Sequence, residues 1–288
     1  MPKIRLDLLV VERGLADSRA RAQALIMAGR VRVDDQVVLK PSSATPPEAR
    51  LQLASGPRFV SRGGEKLDAA LSDFGVDVTA RVCADVGAST GGFTDCLLQR
   101  GAAKVYAIDV GRGILDWKLR NDPRVVVMEA VNARHLESLP EGVSLVTIDA
   151  SFISLRILLP VVKGWLSPSP HLTGLPPSPS RSTPLGTPGG EIVALIKPQF
   201  EAGKIEARHG GGVIRDPVIH RRVLLEVLTF AEQEGLHVRG LIRSPLLGPK
   251  GNAEFLARLS MDGETSPRLD ALVEGALIPP ARPEAGRE

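Results

Sequence analysis

The chain has 288 residues, 43% of them hydrophobic, enough to bury a full-sized core as one large domain with one or two small ones. Lys3, Arg5 and Asp7 interrupt the N-terminus where a secretion signal would be apolar, and the longest apolar run, 155–166, is broken by Arg156, Pro160 and Lys163 and falls short of the ~20 apolar residues that span a bilayer. A soluble cytoplasmic protein with no membrane partner is therefore expected. The two cysteines, Cys83 and Cys96, have neither the spacing nor the histidine company of a metal site, so they read as small hydrophobes and no metal is expected.

The net charge of +3 is unevenly spread. Residues 1–61 carry 10 Lys and Arg against 6 Asp and Glu, leaving 26 against 27 for the rest. A basic module beside a near-neutral domain is the footprint of polyanion binding, because neutralising phosphates releases counterions. Charge alone does not separate that from an ordinary solvated face.

In chain order, Leu6, Leu9 and Val10 mark the apolar face of a short helix over 5–13 that Gly14 can end. Ser18 is placed to cap a second helix, reaching to Gly29 with Ala22, Leu25, Ile26 and Met27 on its apolar face. Residues 31–39 read as two short strands around an Asp34-Asp35-Gln36 turn, and 50–55 as a third. Arg19 and Arg21 on the second helix, with Arg30 and Arg32 after it, put guanidinium groups near one edge. The stretch RLDLLVVERGLADSRARAQALIMAGRVRVDDQVV resembles the alpha-L RNA-binding domain first described in a small-subunit ribosomal protein. That likeness implies a small α+β RNA-binding domain over 1–57, with Arg5, Arg19, Arg21, Arg30 and Arg32 as RNA contacts.

A linker is expected at 58–62 and a second domain at 63–262. Gly63-Gly64 lead into a helix, after which apolar strands at 82–88, 104–111, 124–131 and 143–152 alternate with helices. Such alternation means a parallel sheet covered on both faces, an α/β, Rossmann-like fold. Residues 167–190 interrupt it with 7 Pro, 5 Ser and 4 Gly and no acidic residue, and read as a disordered insertion. The strand EIVALIKPQF then resumes the sheet, followed by a long amphipathic helix from Pro217 and a closing strand pair, LHVRGLIRSPL with NAEFLARLS. Residues 263–288 read as a C-terminal tail.

The segment from Asp85 to Asp95 leaves a strand and opens a helix. Glycines 87, 91 and 92 let the backbone approach a ligand where a side chain would collide, but the G-x-G-x-x-G spacing of a dinucleotide site is absent. The loop instead resembles the first motif of S-adenosylmethionine (SAM)-dependent methyltransferases. This implies that Gly87, Ser89, Thr90, Gly91, Gly92 and Phe93 wrap the methionine part of SAM, with the Asp85 carboxylate favouring its ammonium and sulfonium centres. Asp109 ends the next strand 24 residues on, where a carboxylate can accept hydrogen bonds from both ribose hydroxyls, and Asn132 follows the third strand, placed to contact adenine.

Methyl transfer to a ribose hydroxyl requires a site that orients a poor nucleophile and removes its proton. Lysine serves as that base when burial and a neighbouring cation draw its pKa below about 10.4. Lys66, Asp149, Lys197 and Glu254, in that order, resemble the catalytic set of the FtsJ-type ribose 2′-O-methyltransferases. The flanking words RGGEKL, DASFISL, KPQFEAGK, GVIRDP and SPLLGPKGNAEFL narrow the resemblance, with the front domain, to the TlyA family, over nearly all of residues 3–260. The likeness implies a SAM-dependent enzyme, expected as a monomer, that methylates cytidine ribose in ribosomal RNA, in a family once labelled haemolysin. It also implies roles: Lys197 as base, Lys66 as its electrostatic partner, Asp149 as orienting group and Glu254 as hydroxyl positioner. The residue order leaves open which lysine takes the proton.

Three rival readings are a non-catalytic RNA-binding assembly factor, a secreted pore-former and a small-molecule methyltransferase. The intact four-residue set opposes the first, the lack of a signal or membrane-length span the second, and the basic front domain the third. His209, in the loop AGKIEARHGGGVIRD, reads as a solvated loop histidine with RNA contact as the alternative. The insertion precedes the strand of Lys197 on a helix-to-strand connection, which leaves a parallel sheet opposite its carboxyl ends. Deleting residues 170–187 is therefore expected to leave methylation intact, and a large loss of turnover in a methyl-transfer assay would contradict this placement.

Overall fold

The computed structural model describes residues 3–54, 56–167, 189–203, 206, 211–262 and 268–278, and it divides into two compact units, Met1–Arg58 and Phe59–Glu288. The sequence expectations for His209 and for most of the 167–190 insertion lie outside the described residues.

The first unit carries strand β1 (Ile4–Arg5), helices α1 (Leu6–Glu12) and α2 (Arg19–Met27), and strands β2 (Val31–Val33), β3 (Gln36–Val37), β4 (Ala44–Thr45) and β5 (Leu51–Leu53). The Ser18 hydroxyl caps α2 by accepting from the Arg21 N–H, satisfying one of the donors a helix start leaves open. Asp34 and Asp35 both take positive φ, the geometry of a tight hairpin whose twist matches its strands, so the turn is these two residues and Gln36 already belongs to β3. β2 pairs antiparallel with β3 and β5. Leu6, Val10, Ala22, Leu25, Ile26 and Val31 form the core.

A buried charge ties α1 to α2. The fully buried Asp7 carboxylate accepts from Arg5 at 3.0 Å through two nitrogens, from Arg19 at 3.0 Å and from Gln23 at 2.8 Å. Arg5 and Arg19, expected to face RNA, are thus also held from inside.

The second unit contains α3 (Gly63–Asp73), β6 (Val82–Val86), α4 (Gly92–Gln99), β7 (Lys104–Asp109), α5 (Trp117–Arg120), β8 (Val125–Glu129), β9 (Leu145–Ile148), α6 (Leu155–Lys163), β10 (Glu191–Ile196), α7 (Pro198–Glu201), α8 (Pro217–Gln233), β11 (His237–Arg243), β12 (Phe255–Ser260) and α9 (Leu269–Leu277). Its sheet runs β11-β12-β10-β9-β6-β7-β8, with β12 antiparallel to its neighbours and the contiguous strands β10, β9, β6, β7 and β8 parallel. Successive side chains point to opposite faces. Cys83, Val105, Ala107, Leu145, Val193 and Leu195 therefore pack with Leu67 and Leu71 of α3 and Leu97 of α4. Ala84, Val86, Ile108, Val146, Ile148, Ile192 and Ile196 pack on the other face with α6 and α8.

Residues 269–277, expected within a tail, are helical. Val273 and Ala276 are buried, with α9 lying against α8 and β11; the apolar run LDALVEGAL gains a face to cover that its polar flanks obscured. No helix among the described residues is long and apolar enough to cross a membrane.

The Arg5 and Arg19 guanidiniums hold the Asp7 carboxyl far below the usual carboxylate range, so its stabilisation is present above the unfolded value near ~3.9 and is lost as pH falls. Asp7→Asn is expected to lower amide protection in α1 and α2 by about tenfold or more at pH 7, the worth of a charge-assisted hydrogen bond, with the difference narrowing in acid. Hydrogen exchange of wild type and variant at two pH values measures it.

Candidate active site

The chain order places a crevice before any side chain is considered. From β6 the chain adds β7 and β8 on one side, then returns to lay β9 on the other, so the connections diverge between β6 and β9. In parallel α/β sheets ligands sit outside the strand carboxyl ends at such a point. Here the loop after β6 begins at Gly87 and the loop after β9 at Asp149. A Cβ on Gly87, whose φ is +82°, would lie 2.7 Å from the Asp149 carbonyl oxygen, so only glycine fits.

Two adjoining cavities share Gly87, Ser89 and Asp149 in their linings. One, of about 210 Å³, is bounded by Ser61, Arg62, Lys66, Thr90, Phe93 and Pro249 among others. The second, of about 260 Å³, includes Asp109, Val110, Asn132, Ser151 and Phe152. Together they reach the roughly 300–1,000 Å³ of small-molecule sites.

The glycine loop is built by backbone contacts. Ser89, at φ +50°, donates its N–H to Asp109 Oδ2 at 2.8 Å, and Gly111 N–H donates to Asp109 Oδ1 at 2.7 Å. Each carboxylate oxygen so fixed has a second lone pair to offer a ligand. Asn132 is exposed and accepts the Arg134 N–H through its side chain. Gly91 caps α4 in the left-handed conformation, and Gly92 opens the helix hard against Ser61 and Gly64.

Asp85 does not face either cavity. It is fully buried, accepting from the Thr94 hydroxyl at 2.7 Å and the Thr147 hydroxyl at 3.1 Å, and burial pushes its carboxyl up to about 7 against the lowering effect of those bonds. It braces the loop from beneath: Thr94 lies in the first turn of α4 and Thr147 on β9. Its neighbour Asp95, also buried, accepts the Val60 N–H at 2.9 Å.

The four charged residues expected to carry chemistry form two ion pairs. Lys66 Nζ of α3 lies 2.5 Å from Glu254 Oε2, just before β12, and Lys197 Nζ, after β10, lies 2.6 Å from Asp149 Oδ1. Lys66, Lys197 and Glu254 are all buried. Lys66 and Asp149 line the same cavity, and Gly63 at the start of α3 sits beside the Asp149 carboxylate. The ion-pair partner of Lys197 is thus Asp149, and that of Lys66 is Glu254. Each ammonium has its own carboxylate because an unmatched buried charge is costly.

Sequence reasoning missed Ser151 and Glu201, although both lie in the motif words DASFISL and KPQFEAGK. Lys197 donates to Ser151 Oγ at 2.9 Å. Buried Glu201 accepts from the Ser154 hydroxyl at 2.6 Å and the Leu155 N–H at 2.7 Å, clamping the start of α6 to the turn that follows Lys197; burial raises its carboxyl. Phe152, with φ +63°, rests against Phe200 at 4.8 Å between ring centres. The segments after β9 and β10 are therefore braced together at three successive contacts.

The family model of FtsJ-like methyltransferases matches residues 59–261, and that of the S4 domain residues 4–49. The chain is 44% identical over 257 residues to the 16S/23S rRNA (cytidine-2'-O)-methyltransferase TlyA of Mycobacterium tuberculosis, covering 88% of each. It is 37% identical to Hemolysin A of Brachyspira hyodysenteriae, over 88% of this chain and 98% of that one. A solved structure of a hemolysin-named protein from Streptococcus thermophilus superposes with a TM-score of 0.67 at 39% identity, covering 96% of this chain and 95% of the other.

Because its carboxyl is raised, Asp85 makes the native chain bind more protons than the unfolded one between about pH 4 and 7, so this group's contribution to stability falls as pH rises through that window. Asp85→Asn removes the titration. Urea unfolding at pH 5 and pH 8 is expected to show a smaller decline in the variant than in wild type, and equal declines would contradict the assignment.

Proposed function

The chain belongs to the FtsJ-like methyltransferase family and carries an S4 domain ahead of the methyltransferase unit, and from that premise we propose that Lys66, Asp149, Lys197 and Glu254 are the groups that methylate a ribose 2′-hydroxyl of ribosomal RNA. The family's chemistry is SAM-dependent. The cytidine specified in the name of the M. tuberculosis relative is the nucleotide we assign to this chain as well.

The observation that carries the reading is the pair of buried ion pairs beside a glycine turn at the carboxyl ends of β6 and β9. The residues suit SAM. Gly87 borders both cavities with no side chain to fill them, Asp109 has lone pairs directed away from its two backbone donors, and Asn132 lines the same cavity as Asp109. In this reading Asp109 holds the ribose of the cofactor, Asn132 its adenine, and residues 87–93 its methionine end. Asp85 acts from below, by fixing the loop through Thr94. When bound, SAM supplies a methyl group on a positively charged sulfonium, open to attack by a ribose oxygen.

The protein's own residues then have to deliver that oxygen and accept its proton. Asp149 lines both cavities, so its carboxylate can receive the 2′-hydroxyl where they meet. Lys197, held by Asp149 and by Ser151, is the group placed to take the hydroxyl proton. Lys66, fixed by Glu254, lines the first cavity and places a positive charge beside the oxygen as its negative charge develops. Arg62 is exposed on the same rim, where a phosphate of the substrate can meet it. The S4 domain supplies RNA affinity apart from the chemistry, through Arg21, Arg30 and Arg32 together with Arg5 and Arg19.

Tritiated methyl transfer to purified small- and large-subunit particles tests the assignment. Lys197→Ala is expected to lose about 10²–10⁴-fold in rate, the worth of a general base, with SAM affinity by calorimetry unchanged. Incorporation equal to wild type would reject Lys197 as the base.

A further inference from the structure

The loop between β7 and β8 exposes apolar surface that runs from Val110, on the wall of the second cavity, to Trp117, which lines neither cavity. Trp117 is 78% exposed, Val110 68% and Ile114 46%, all within eight residues. Single exposed hydrophobic residues are ordinary, but a clustered set that includes an indole points to a partner. The other tryptophan, Trp165, is buried and donates its indole N–H to the Leu136 carbonyl.

The loop is anchored rather than loose. Leu115 and Leu119 are buried against Gly91, the Asp116 N–H donates to the Thr90 carbonyl at 3.2 Å, and the Asp116 carboxylate accepts the Lys118 N–H. Trp117 therefore follows a residue whose backbone is bonded to the glycine turn, at the end of the sheet where the substrate must arrive. Cations accompany it. Arg112 is exposed and makes no salt bridge among the described residues, and the Lys118 side chain is 73% exposed, its ammonium 3.9 Å from Asp95.

An exposed aromatic ring beside two exposed cations, one of them without a salt bridge among the described residues, matches unpaired RNA, whose bases stack on aromatic faces while phosphates meet the charges; a duplex keeps its bases stacked on one another. We propose that this loop is an RNA-docking surface of the methyltransferase unit, with Trp117 stacking on an unpaired base and Arg112 and Lys118 holding the flanking phosphates. The proposal rests on the assignment of RNA as substrate, and it adds a contact outside the S4 domain and outside the catalytic groups.

Tryptophan emission reads the contact directly. Trp165→Phe leaves Trp117 as the only indole in the full-length chain. Titration with an oligocytidylate RNA is expected to quench its emission to saturation, and the same strand annealed to its complement to quench it much less. Trp117→Ala is expected to raise the dissociation constant for the single strand, by fluorescence anisotropy, about 5- to 100-fold, with Trp117→Phe recovering most of the loss and SAM affinity unchanged in both. Unaltered emission, equal quenching by the duplex, or a Trp117→Ala chain that binds the single strand like wild type would each overturn the proposal. So would a loss of affinity seen for ribosomal subunits and not for the oligonucleotide, which would make the partner a ribosomal protein. The two readings fail separately: wild-type methyl transfer to subunits without quenching removes this surface and leaves the enzyme, whereas quenching by RNA without methyl transfer removes the enzyme and leaves the surface.

Discussion

A close approach of two backbones governs the rest of this site. The chain leaving β6 and the chain leaving β9 meet at Gly87 with less room than a methyl group needs. Because they meet there, Asp149 borders both cavities, and a ligand in one is separated from a ligand in the other only by that residue and the glycine turn. A wider separation would leave two unrelated pockets. The buried Asp85 maintains the approach from below, since Thr94 belongs to the helix that follows one strand and Thr147 to the other strand.

Buried charge is handled in the same way throughout the molecule. Every such group discussed above has an opposite charge or hydroxyl donors in contact with it, as the cost of desolvating an isolated ion demands. Asp7 gathers Arg5 and Arg19 in the first unit, and Lys66 and Lys197 each take one carboxylate in the second. Away from the cavities, Glu191 at the start of β10 bridges Arg81 and Arg258, fixing the opposite ends of three strands. The two pairs at the cavities differ in position, since Lys66 and Asp149 line the cavity walls.

The two units do different physical work. The first is small, with a core cluster of six buried residues, and its Asp7 contacts tie α1 to α2. The second buries both faces of a seven-stranded sheet and so can hold its strand-end loops rigidly. Rigidity at the loops matters because catalysis by positioning is lost when groups shift by an ångström. The contacts of Glu201 with Ser154 and Leu155, and of Phe200 with Phe152, supply it where Lys197 meets Asp149.

The amino-acid sequence by itself determined the alternation of strands and helices, the hairpin and cap of the first unit, the glycine turn and the identity of the charged residues, because periodicity, capping and positive-φ requirements act over a few neighbouring residues. It was enough to indicate the methyltransferase family. It did not reveal that residues 269–277 form a helix, since that helix exists for the face of α8 and β11 it covers. Nor did it reveal that Asp85 points away from the cavities, or how two lysines and two carboxylates divide into pairs. Those outcomes depend on contacts between residues as far apart as Lys66 and Glu254, and only the folded sheet decides which distant charges come within reach of one another.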